Sequence, residues 1–116
     1  MAFGKSKKNR DDIVSIVGIS GMYEGIAFPL ELDEELIIGR DAMFSHIVIT
    51  EKAEKISRKH ITVSFEEDDN VYTATDHSSN GTRLEDGTRL ETNVPVSLKR
   101  GTVIYLANDD NAFKLT

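Results

Sequence analysis

From residue 13 onward, apolar and polar positions alternate with a period of two, and no stretch of eleven or more residues repeats apolar positions at spacings of three and four. Alternation of this kind gives a strand one face for a core and one for water, whereas a helix needs the wider repeat. The chain therefore reads as strands, with helices short at most. Residues 13–19 form a mostly apolar run rich in β-branched side chains, and Ile26, Phe28, Leu30 and Leu32 alternate with Ala27, Pro29 and Glu31. Gly18, Gly21 and Gly25 mark a hairpin between them. Leu36, Ile37 and Ile38 make a short strand stopped by Gly39, and residues 47–49 make another. Ile61, Val63 and Phe65 alternate with Thr62, Ser64 and Glu66 ahead of an acidic turn over 66–70.

A strand over 71–75 follows, then a turn of the hairpin type at Asn80-Gly81, a second turn at Asp86-Gly87, and strands over 94–98, 103–106 and 112–115. Pro29 and Pro95 lie inside two of these runs. Proline cannot donate to a ladder, so both belong on sheet edges. About ten or eleven short strands separated by regular turn signals predict an all-β, antiparallel sandwich or barrel.

Length and composition then bound the architecture. A chain of 116 residues holds one domain of ordinary size, and 39% hydrophobic with 29% charged residues describes a globule rather than a disordered or membrane-embedded chain. The net charge of −6 disfavours a binder of nucleic acid or anionic membrane that works by neutralising phosphates in bulk. That charge is uneven. Lys5, Lys7, Lys8 and Arg10 lie among the first ten residues with no acid beside them, and the remainder carries ten basic against twenty acidic side chains, a net of −10. Residues 1–12 are thus expected to be a basic flexible tail or linker and 13–116 the domain. No cysteine and no secretory signal are present, and no run is apolar enough for membrane insertion, so a cytoplasmic location is expected.

Catalytic signatures are missing from the pattern. His46, His60 and His77 are too widely spaced for a close ligand pair, so no metal is expected. The chain has no G-x-S-x-G elbow and no P-loop, and the glycines at 18, 21 and 25 come without the Lys and Ser/Thr that grip a nucleotide. No enzyme and no cofactor are expected.

The informative residues fall in three loops. Gly39-Arg40 ends an apolar strand, leaving the Arg40 guanidinium at a loop mouth. Lys55-Ile56-Ser57-Arg58-Lys59-His60 stands just before the strand at Ile61. Asp76-His77-Ser78-Ser79-Asn80-Gly81-Thr82 joins two later strands. Together Arg40, Lys52, Lys55, Arg58, Lys59 and Arg83 would form one basic end among hydroxyls and an amide. A phosphomonoester carries about −1.5 to −2 charges and three acceptor oxygens, which calls for a charge-assisted donor and several neutral ones. Arginine supplies two parallel N–H groups, while asparagine offers both a donor and an acceptor to an extended peptide.

The ordered array Gly39-Arg40, Ser57-Arg58-x-His60 and Ser79-Asn80-Gly81-Thr82, with strands between its parts, resembles the forkhead-associated (FHA) domain, a phosphothreonine-binding β-sandwich. The resemblance runs from the glycine-rich hairpin near Gly18 to Leu115, with Leu90, Leu98, Gly101, Val103, Tyr105 and Phe113 at the family's apolar and turn positions. It implies that Arg40 and Ser57 contact the phosphate and that Arg58 adds a phosphate or peptide contact. It further implies that Ser79 helps hold the phosphothreonine, while Asn80 grips the peptide backbone. His60 would brace the loops, Gly39 and Gly81 would serve turns, and Thr82 would support the turn or open the next strand. Lys55, Arg58, Lys59 and Arg83 are candidate readers of an acidic residue three places after the phosphothreonine.

His77 stands where many relatives carry an apolar residue, and Ser45-His46 replaces a more usual pair, so both are expected to alter a loop. The function implied is a non-catalytic phosphopeptide-binding adaptor that recognises a threonine-phosphorylated partner in Ser/Thr kinase signalling. The alternative is a phosphate-independent interaction or scaffolding sandwich.

Overall fold

The computed structural model of the protein describes residues 14–116, so the expected basic tail over 1–12 lies outside the described residues. The described residues form ten strands. They are β1 (Val14–Ser20), β2 (Ala27–Leu30), β3 (Glu35–Gly39), β4 (Ile47–Val48), β5 (Ile61–Glu66), β6 (Val71–Asp76), β7 (Thr82–Leu84), β8 (Val96–Lys99), β9 (Thr102–Leu106) and β10 (Asn111–Leu115). Two five-stranded sheets result, ordered β2-β1-β10-β9-β7 and β4-β3-β5-β6-β8. The all-β sandwich expected from the alternation is therefore the fold, with one departure: β3 and β4 pair in parallel, Ile38 opposite Ile47.

The period-two pattern explains which residues meet between the sheets. Along β5, Ile61, Val63 and Phe65 point inward while Thr62 and Ser64 do not. Along β6 the inward set is Tyr72, Ala74 and Asp76. From the other sheet come Val14, Ile16, Ile104, Leu106, Phe113 and Leu115, all buried. Phe65 and Tyr72 stack edge to face with ring centroids 5.1 Å apart, a geometry that adds to the burial of their area. Tyr72 also ties the sheets together: its hydroxyl donates to Thr116 O at 2.7 Å, with Ser15 O at 3.3 Å.

Both prolines lie at edges as their missing donors require. Pro29 is in the edge strand β2, and Pro95 immediately precedes the edge strand β8. Other expectations need correction. Ile26 and Leu32 fall outside β2 and Val94 outside β8, and all three are exposed, because the register of β2 on β1 ends at Ala27 and Leu30 and that of β8 on β6 begins at Val96, leaving the flanking residues on loops. Asn80-Gly81 is not a hairpin turn. The segment 77–81 carries the chain from β6 in one sheet to β7 in the other.

Loops gather at two poles. The connections over 21–26, 40–46, 49–60, 77–81 and 107–110 share one pole. At the other, the start of β1 and Thr116 lie side by side, with Thr116 N donating to Ser15 O at 3.0 Å and Ser15 N to Thr116 Oγ1 at 3.1 Å.

Replacing Tyr72 by Phe keeps the ring packing and removes the bond between the sheets. Urea denaturation should show a loss of about 1 to 2 kcal/mol, with the strand content unchanged.

Candidate functional site

The pole bearing 40–46, 49–60 and 77–81 brings most of the expected site residues together. Gly39 ends β3 with no room for a side chain, since a Cβ there would collide with Arg58 O and Ser45 Oγ. This close approach lets Asp41 N and Ser45 Oγ both donate to Arg58 O, the latter at 2.7 Å. Arg40 follows directly. Its backbone N donates to Ser57 O at 3.1 Å, and its Nε donates to Ile56 O at 2.7 Å. The guanidinium is thus anchored through Nε.

Ser57 is held at three points. Its O accepts from Arg40 N, its N donates to His60 Nδ1 at 3.1 Å, and its Oγ accepts from Ser79 N at 3.0 Å. The hydroxyl proton of Ser57 remains for another acceptor. Asn80 reaches back across the same gap, donating from Nδ2 to Lys55 O at 3.0 Å. Arg40, Ser57, Ser79 and Asn80 therefore stand on three loops laced by side-chain bonds. Arg58 sits at the margin, its guanidinium 5.9 Å from the Phe44 ring centroid. Lys55 and Lys59 are exposed on the same loop.

His60 is bonded to both the 49–60 and the 77–81 loops. It is fully buried and spends both ring nitrogens, accepting from Ser57 N and pairing through Nε2 with Gly81 O at 2.9 Å. The Ser57 N–H bond assigns the neutral tautomer with the proton on Nε2. Burial, which disfavours the charged ring, lowers its pKa below the ordinary 6.5, outweighing the Gly81 hydrogen bond and the Asp76 charge, which act the other way.

Beneath the loops lies a polar cluster that the sequence pattern did not single out. Asp76 is fully buried at an inward position of β6, and its Oδ1 accepts from Ser78 Oγ at 2.7 Å and Thr82 Oγ1 at 2.8 Å. Thr92 Oγ1 lies 3.4 Å from Asp76 Oδ2. Ser78 Oγ in turn accepts from Gly81 N at 2.7 Å. Thr82 thus ties the start of β7 to the same carboxylate. The signal that could have found this cluster is an acid in the inward register of Tyr72 and Ala74, followed by hydroxyls two and six places on.

Three further expectations meet the geometry differently. Arg83 makes an ion pair with Asp109 and lies 5.3 Å from the Tyr105 ring centroid, so its charge is committed within the other sheet. Arg89 takes a place near the loops instead. A methyl group at Gly81 would lie 2.5 Å from Arg89 Nε and 2.8 Å from its Cζ, so the guanidinium packs on the glycine next to Asn80. Among the described residues it has no carboxylate partner. His77 fits as a polar brace, with Nε2 2.8 Å from Thr62 Oγ1 and Nδ1 3.3 Å from Asn93 Oδ1. His46 Nδ1 accepts from Ile37 N at 2.9 Å and so extends the edge of β3. Among the described residues no group of three His, Asp or Glu is gathered to hold a metal ion.

Two facing sheets with a braced, cation-bearing loop cluster at one end place the chain among β-sandwich domains that carry a site on loops. The FHA domain model matches residues 36–107, and the chain belongs to that family. Solved structures agree. The FHA domain of the CT664 protein from Chlamydia trachomatis superposes with a TM-score of 0.76 at 24% identity, over 90% of this chain and 97% of that one. The FHA domain of a hypothetical protein of Arabidopsis thaliana gives 0.71 at 28% identity, over 89% and 82%. The MEK1 FHA domain in complex with a phosphothreonine peptide of HOP1 gives 0.68 at 23% identity, over 89% and 96%. No curated protein sequence matches the chain significantly.

The His60 bridge carries a pH dependence. The unfolded ring takes up a proton near 6.5 and the folded ring only at lower pH. Stability held by neutral His60 is therefore complete above 6.5 and is lost as pH falls through that value toward the depressed folded one. Denaturation midpoints of the wild type should fall more steeply below 6.5 than those of His60→Gln, the variant subtracting the contribution of the carboxylates.

Proposed function

We propose that the protein is a non-catalytic adaptor that binds phosphothreonine on a partner protein within Ser/Thr kinase signalling. The observation that carries this reading is Arg40, whose Nε is fixed on Ile56 O and whose backbone N donates to Ser57 O, so that an anchored guanidinium and the Ser57 hydroxyl belong to one braced loop cluster. A pre-oriented arginine loses less freedom on binding than a mobile one, and phosphate oxygens suit its paired N–H groups. Ser57 and Ser79 supply neutral donors, Arg58 lies at the margin, and Asn80 keeps its Oδ1 for the peptide main chain. Membership of the FHA family, with a phosphothreonine peptide bound to the related MEK1 domain, supports the same ligand. Recognition of phosphorylated motifs by arginine clusters is a general binding mode.

Flanking preference follows from the cations left unpaired. Lys55, Lys59 and Arg89 surround the loops without carboxylate partners among the described residues, so an acidic residue near the phosphothreonine is favoured. Arg83, already neutralised by Asp109, contributes little. The reading assigns no cofactor and places the protein with its kinases in the cytoplasm. Among the described residues no helix is long and apolar enough to cross a membrane.

Isothermal titration with one peptide in three forms tests this. Phosphothreonine should bind, phosphoserine more weakly and unmodified threonine not measurably. Arg40→Ala should cost roughly 2 to 5 kcal/mol of binding, and Arg83→Ala should change little. Equal affinity for all three forms would establish the phosphate-independent scaffold instead.

A further inference from the structure

Asn80 is followed by Gly81, and that pair carries a chemical liability. In a free chain the Gly81 amide nitrogen, once deprotonated by hydroxide, attacks Asn80 Cγ. The new C–N bond closes a succinimide, the Cγ–Nδ2 bond breaks, and ammonia leaves with a proton. Water then adds to one ring carbonyl and opens the ring to aspartate or isoaspartate. The net change is amide plus water to carboxylate plus ammonium. Glycine permits it best, because it offers no side chain to hinder the approach and turns readily.

The nucleophile and the leaving nitrogen of that reaction are both hydrogen-bonded in the folded protein. The nucleophile, Gly81 N, lies in a buried residue and donates to Ser78 Oγ at 2.7 Å. Ser78 is itself fixed by the buried carboxylate of Asp76. On the far side, Gly81 O pairs with His60 Nε2 and accepts from Ala107 N at 2.8 Å. The leaving nitrogen, Asn80 Nδ2, donates to Lys55 O. Attack requires the Ser78 bond to open, so the rate follows the local opening of the 77–81 crossing rather than the intrinsic reactivity of the dipeptide.

We propose that Asn80-Gly81 is a latent deamidation site held off by the Ser78 clamp, and that its conversion is a one-way inactivation of the loop. The product lacks the amide that donates to Lys55 O and sets a carboxylate against that carbonyl. Isoaspartate also lengthens the main chain by one carbon, which displaces Gly81 from the His60 bridge. A new negative charge beside Arg40 and Ser57 opposes a phosphate, a part of the inference that rests on the reading given above.

The test ages the full-length protein in mildly alkaline buffer, folded and in urea, and follows by peptide mass mapping the mass gain of amide-to-acid exchange at Asn80. Conversion should be at least about tenfold slower in the folded wild type than in urea, and Ser78→Ala, monitored for retained strand content, should lose about tenfold of that protection. If Ser78→Ala fails to fold, hydrogen exchange of Gly81 N in the wild type replaces it, since its opening rate should bound the conversion rate. Equal rates folded and unfolded, or conversion faster than exchange, would overturn the clamp. In a second arm, Asn80→Asp and aged protein should lose phosphothreonine-peptide affinity together. Aged protein that binds like fresh protein would overturn the inactivation. Fresh protein that binds no phosphopeptide would instead count against the proposed function, while the ageing rates would still decide the clamp.

Discussion

A buried carboxylate is costly unless its oxygens are hydrogen-bonded, and Asp76 sets the terms on which this sandwich closes. It lies at the end of β6, where the chain leaves one sheet for the other, and satisfies itself from hydroxyls that lie ahead of it in sequence. Ser78 and Thr82 can reach it only if the crossing folds back over the strand end. The same fold brings Gly81 N onto Ser78 and Gly81 O onto His60. Since His60 also takes Ser57 N, the requirement of one acid reaches the second loop and, through Ser57 O, the backbone of Arg40. The surface residues are ordered by what is buried below them.

Much of this was legible in residues. The inward faces of β5 and β6 follow directly from alternation, and Gly39-Arg40, Ser57, Ser79 and Asn80 could be placed on loops because strands of clear period bound them. His60 could be assigned a bracing role through the family resemblance alone, and the structure supplies its partners. What alternation does not carry is the end of a register: Ile26 and Leu32 have the right spacing for β2, yet the pairing with β1 stops before them. Nor does it distinguish a turn within a sheet from a crossing between sheets, since Asn80-Gly81 serves either. Arg83 and Arg89 lie six apart and look equivalent as charges. Only the packing of β7 on β9 gives the first to Asp109 and leaves the second lying on Gly81.

The charge distribution acquires direction once the loops are placed. Arg40, Lys55, Lys59 and Arg89 stand near one pole, while Asp33, Glu35, Glu66, Glu67 and Asp68 line a depression toward the other. A chain of net −6 therefore bears an oriented field. Such a field turns an approaching anion toward one end and repels polymers of phosphate from the rest, with a strength that falls as salt rises.

The pairing of Ser15 with Thr116 has a mechanical consequence. β1 and β10 are adjacent and antiparallel, and the ends of the described chain emerge together at the pole away from the loops. Tension applied between those ends loads the ladder from Ile16–Leu115 upward, one hydrogen bond at a time, rather than shearing all of them together. The domain yields to small forces by peeling, and the peeling starts at the far end from Arg40.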